Sequence, residues 1–239
     1  MVFSQWSFHR SAKAHGEKTT HRDYQGGSIL QQWENLSNLD IEPEIALTLD
    51  LQRISIKIHS EAAANISLDP FLEIFGRWRA DKAHAAQWID LADYAHVPKG
   101  PGIMLIGVKA MFAFDLADPA PGLLYVTRRS LAGTPEQRIQ AALRNALDLS
   151  KRITAEKNYP GAAKLRTDSI ELRFPDRLIT PNTAATDVAL RPAINTVLSA
   201  TLGAGAFHPT PVADAGSAYG YDIKAAKSES LDALLARLA

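Results

Sequence analysis

"IDLADYAHVPKGPGIMLIGVKAMFAFDLADPAPGLLYVTRR", residues 89–129, decides the fold. Two turn clusters, Gly100-Pro101-Gly102 and "DPAPG" at 118–122, separate runs rich in apolar residues, and this spacing predicts an antiparallel meander. Gly-Pro-Gly suits a type II turn, with Pro fixing φ at its second position and Gly supplying positive φ at its third. The segment that follows, "GIMLIGVKAMFAFDLA", is apolar on both faces, so it reads as a central strand covered on each side.

Period two sorts the first part of the stretch. Asp90, Ala92, Tyr94 and His96 share one strand face, and Ile89, Leu91, Asp93, Ala95 and Val97 share the other. Asp93 is thus a carboxylate on an apolar face. Burial of a lone carboxylate is costly, so it is expected to hold Arg77, Arg79 or Arg177, to accept turn amides, or to have a raised pKa.

Upstream, Ile45, Leu47, Leu49 and Leu51 fall on odd positions and Ile54, Ile56 and Ile58 on even ones. The slip at Gln52-Arg53 predicts a β-bulge, or else a turn between two short strands. Asp69-Pro70 supplies an N-cap and a first-turn Pro for a helix reaching about Ala83, with Phe71, Phe75 and Trp78 on one stripe. Thr134-Pro135-Glu136-Gln137 is a capping box opening a helix whose stripe is Ile139, Ala142, Leu143, Ala146, Leu147 and Ile153.

Further on, Ile170, Leu172 and Phe174 alternate with Ser169, Glu171 and Arg173, a strand with one buried and one wet face. A helix is expected from about Asn182 to Leu202, kinked or restarted at Pro192, with Asn182 or Thr183 as its cap. Strands near 206–212 and 218–225 and a closing helix around Leu231–Leu238 complete the order.

These elements define an α+β protein with a mostly antiparallel sheet packed on helices. The order β-α-β-β-β-α followed by β-α-β-β-α suggests a pseudo-duplicated β-α-β-β-α arrangement. Residues 1–43 are polar, show no sustained period and read as an amino-terminal extension, and residues 44–239 form one domain with halves 44–160 and 161–239. In the extension, His9, His15 and His21 recur every six residues and share no helical face, so they make no metal site.

Composition narrows function. Twenty-six basic and 26 acidic residues balance, which gives no net field for nucleic acid or an anionic membrane. With no cysteine, the chain has no disulfide, thiolate nucleophile or Cys-type metal ligation. No apolar run approaches bilayer length, and the first 18 residues lack an apolar signal core, so a cytoplasmic protein is expected. Arg10, Lys13, Lys18 and Arg22, which outnumber Glu17 and Asp23, keep an organellar presequence as the rival reading. Mononucleotide, dinucleotide, zincin and α/β-hydrolase motifs are all missing. "KGPGIML" lacks a following helix to bind phosphate.

"DPFLEIFGRW", "IDLADYAHVPKGPGIMLIG", "GLLYVTRR" and "DRLITPNT", in that order, resemble a group of bacterial proteins with no assigned activity. The likeness spans roughly residues 54–185, and it implies relatives rather than a reaction. Where those proteins carry a His-containing segment, this chain reads "IGVKAMF".

The leading expectation is a non-catalytic binding or interaction module that needs no cofactor and no metal. Its partner is a protein or a small molecule, and a homo-oligomer is compatible with the sequence. The alternative is a hydrolase- or isomerase-type enzyme using His96 as general base, oriented by Asp90 or Tyr94. Arg177, for which the sequence offers no local structural role, and Asp93 are the expected ligand-binding residues. A third class, a subunit held to its partner through the aromatic amino-terminal arm, is also open.

Overall fold

The computed structural model describes residues 49–62, 65–81 and 88–239. All of them belong to the unit Ala46–Ala239. The extension 1–43, its histidines and the strand positions Ile45 and Leu47 lie outside the described residues.

Among the described residues, eight strands form one sheet: β1 (Ser55–Ser60), β2 (Trp88–Tyr94), β3 (Gly102–Gly107), β4 (Ala110–Asp115), β5 (Gly122–Thr127), β6 (Leu165–Phe174), β7 (Phe207–Pro211) and β8 (Tyr219–Ala225). Their order across the sheet is β2-β3-β4-β5-β1-β6-β8-β7, and every pairing is antiparallel. The helices among the described residues are α1 (Asp69–Ala80), α2 (Pro135–Thr154), α3 (Ala184–Leu202) and α4 (Leu231–Arg237), with one 3₁₀ turn at Gly161–Ala163. An α+β fold with an antiparallel sheet packed on helices is therefore present.

The two halves repeat a topology. In each, a first strand is followed by a helix and then by antiparallel strands, the last of which returns beside the first: β5 beside β1, and β8 beside β6. The two first strands, β1 and β6, pair antiparallel at the junction, and β2 and β3 extend the amino-terminal half.

The helices cover one face of the sheet. Phe71, Phe75 and Trp78 of α1 are buried against β4, where Phe71 stacks on Phe114 with centroids 4.0 Å apart and Trp78 stacks on Phe112. Ile139 and Leu143 of α2 meet Ile56, Ile170, Leu172 and Ile223 of the sheet and Leu198 of α3 around a space of about 10 Å³. That space has room for a single water and no polar group to hold one. Thr134 and Gln137 form the capping box, and the α2 stripe is buried throughout.

Four local expectations need correction. "GIMLIGVKAMFAFDLA" is a hairpin, β3 and β4, turning at Val108-Lys109, and among the described residues no helix covers its second, apolar face. No strand precedes Ser55 among the described residues; the β1 register shifts against β6 between Ile58 and Ser60 rather than at Gln52-Arg53. Leu68, not Asp69, occupies the cap position of α1. Finally, α3 runs through Pro192 as one helix rather than restarting there, capped by Thr183; the bond lost is the one that an amide at position 192 would have donated to the carbonyl of Val188, on an exposed turn.

Candidate binding face

Pairing registers place alternate residues of every strand on the face away from the helices. There, two apolar rows cross the amino-terminal half of the sheet. One runs Ala92, Met104, Ala113, Leu124, and the other runs Ile106, Met111, Val126. Apart from Ala113, which is buried, these side chains are half-buried. The local cause is period two in strands whose opposite face already supplies Ile103, Leu105, Phe112, Phe114 and Leu123 to the core.

Across β1 and into the other half, the same face turns polar. Lys57 Nζ lies 2.6 Å from Asp115 Oδ2 and donates to the Ala117 carbonyl at 2.7 Å. His59 bridges two residues of β6: Nδ1 is 2.7 Å from Ser169 Oγ and Nε2 is 2.5 Å from Glu171 Oε1. Ser169 and Glu171 are two apart on one strand face, a spacing that the opposed ring nitrogens can span. Arg173 continues the chain to Glu171 Oε2 at 3.4 Å, to Asp222, and to the Tyr221 carbonyl at 2.6 Å, while Lys224 donates to Ser169 Oγ.

This cluster has the composition of a Ser–His–Glu triad. A carboxylate only accepts, so Nε2 carries the proton facing Glu171; with a neutral ring, Nδ1 then accepts from Ser169, which accepts from Lys224. Nucleophilic catalysis needs a hydroxyl that reaches substrate and donors for the developing oxyanion. Ser169 is 0% exposed and His59 5% exposed, and both ring nitrogens are occupied. The arrangement therefore ties β1 to β6 and β8.

Of the residues singled out from sequence, Tyr94 and His96 lie in ring contact, whereas Arg177 lies far from both. β2 ends at Tyr94, and the chain turns through Ala95–Lys99, so His96 leaves the strand and is exposed, 6.4 Å from the Tyr94 ring between centroids. Asp90 accepts from the Leu91 amide and lies 4.0 Å from Arg79. Asp93 does share the helix-side face with Leu91, but it is exposed, and the turn amide of Ala95 donates to it at 2.8 Å. Strand phase alone predicts its burial, but β2 is an edge strand, and even Leu91 is only half-buried there.

Arg177 is exposed after β6, five strand spacings from β2, on the order of 24 Å. It also sits at the opposite strand ends, since Arg173 pairs with Ser55 whereas Tyr94 pairs with Gly102. It lies near Asp214, whose carboxyl is held below its usual range first by the Ser217 hydroxyl, then by the Gly216 amide, with a smaller contribution from Arg177.

Sequence reasoning passed over Lys57, His59 and Asp115, and read Ser169, Glu171 and Arg173 as a wet face. The available signal was the alternation in "ISIKIHS" at 54–60, with charged residues in a strand whose neighbours are all Ile. Among the described residues no three potential metal ligands converge, and no helix is long and apolar enough to cross a membrane. Neither models of known protein families nor curated proteins match the chain.

Proposed function

We propose that the protein is a cytoplasmic, non-catalytic binding module that recognises a protein partner through the face of its sheet that none of the described helices covers. The observation that carries this is the closure of its acid–base groups: Ser169, His59 and Glu171 are spent on one another beneath the surface. Beside them the same face presents Met104, Ile106, Met111, Leu124 and Val126 as two contiguous rows. A pleated surface of this kind offers shape and apolar area to another protein, in keeping with the way interfaces place apolar and Met side chains at their centre.

A photo-crosslinking amino acid at Leu124, introduced in cells expressing the protein, is expected to give a discrete protein adduct. Met111→Glu should abolish it, and the same group placed at the exposed Leu178 should not produce it. No adduct from Leu124, or covalent labelling of Ser169 by a fluorophosphonate ester, would overturn the reading in favour of an enzyme.

A further inference from the structure

One end of the sheet carries a row of like charges. The β4–β5 register pairs Ala110 with Thr127, so the next step sets Lys109 opposite Arg128, and the Arg128 amide donates to the Lys109 carbonyl at 2.8 Å. The β1–β5 register pairs Ser55 with Val126, and the Thr127 amide donates to the Ile54 carbonyl at 2.9 Å, which carries the ladder on to Arg53 opposite Arg128. Arg53, Arg128 and Lys109 thus form one cross-strand row, on the parity of Ser55, Val126 and Met111. Arg129 adjoins it, its amide 3.3 Å from the Lys109 carbonyl.

All four side chains are exposed, and among the described residues none is in an ion pair. The nearby Asp50 is held by Arg138, and Arg128 Nη1 is held by the Gly107 carbonyl at 2.6 Å. Like charges set directly opposite on paired strands are unfavourable. A row that no described residue neutralises attracts an external anion.

We propose that this end of the sheet is the docking site for an acidic segment of a protein partner; the proposal rests on the binding-module reading and names the chemistry of what is bound. The neighbouring row on the same face is Ile106, Met111 and Val126, so a segment with carboxylates at one end and apolar side chains behind them complements both. The cationic row spans about 10 Å across two strand spacings, too short to track a nucleic-acid backbone, and the apolar rows would face phosphates.

The test is fluorescence anisotropy with a short labelled peptide of alternating glutamate and leucine, run on the full chain at low ionic strength and then with added salt. Binding that weakens with salt is expected. Arg53→Glu and Lys109→Glu should each weaken it by about tenfold or more, Arg53→Gln and Lys109→Gln by less, and Leu178→Glu not at all. Thermal midpoints identify any variant that fails to fold, and the Gln pair then decides. No binding, binding indifferent to both charge reversals, or tighter binding of oligothymidylate or phosphatidylserine vesicles would overturn the proposal. A Leu124 cross-link that survives Arg53→Glu and Lys109→Glu would remove the basic row as docking site while leaving the binding module standing.

Discussion

Lys57 Nζ and Asp115 Oδ2 are 2.6 Å apart, joined across β5, on which Asp115 pairs with Gly122 and Lys57 with Leu124. Lys57 is 3% and Asp115 5% exposed. Two charges removed from water to this extent hold each other, and removing one leaves the other without compensation.

Asp115→Ala is accordingly expected to destabilise the protein by about 3–5 kcal/mol, and Lys57→Met by a similar amount. The double variant Lys57→Met/Asp115→Leu should recover most of the loss, because neither charge is then stranded. Urea denaturation of the three variants measures this. A loss under about 1 kcal/mol for Asp115→Ala would mean that water reaches the pair.

Glu156, just past the end of α2, governs a second dependence. Its carboxylate accepts from the Trp78 indole at 2.6 Å and from Arg77 at 2.7 Å, and the Trp78 bond, foremost, with Arg77 behind it, holds its pKa below the ordinary 4.5 against the opposing effect of burial. A folded pKa below the unfolded one contributes stability that is present above about pH 4.5 and is lost as pH falls through the lowered folded value. Glu156→Gln keeps an acceptor for Trp78 but has no charge to lose. The gap in thermal stability between wild type and Glu156→Gln should therefore be on the order of 1 kcal/mol at neutral pH and shrink as the carboxylate is protonated at acid pH. A gap independent of pH would show that the carboxylate's charge plays no part in holding α1 to α2.

Why some of this was legible beforehand and some not follows from range. The stripe Phe71, Phe75, Trp78 and the capping box Thr134/Gln137 are set by neighbours within a turn or two, and both stand in the structure. The Val108-Lys109 turn carries none of the Gly or Asn that mark tight hairpins, so β3 and β4 merge into one apolar run when read as sequence. Strand alternation carried through to His96 took no account of Pro98 and of Lys99, whose φ of 54° lies in the left-handed region of the turn. The His59–Ser169 contact joins residues 110 apart. Only the order of strands brings β1 beside β6, and no local pattern states that order.

Two glycines make opposite predictions from backbone geometry. Gly102, at the start of β3, has φ +61°, and a Cβ there would lie 2.1 Å from the Phe114 carbonyl oxygen of β4. An alanine meets both a left-handed backbone and an atom that cannot move without breaking the β3–β4 ladder, so Gly102→Ala should destabilise by more than about 2 kcal/mol. Gly76 lies inside α1, where a Cβ meets nothing within 4 Å. Gly76→Ala narrows the unfolded ensemble and raises helix propensity, and should stabilise by about 0.5–1 kcal/mol. The pair is informative together, since both exchanges add the same methyl group and only the surroundings differ. Thermal or urea midpoints of the two variants decide it: a stabilising Gly102→Ala would contradict the close approach of β3 to β4, and a destabilising Gly76→Ala would mean that a neighbour occupies the open space beside α1.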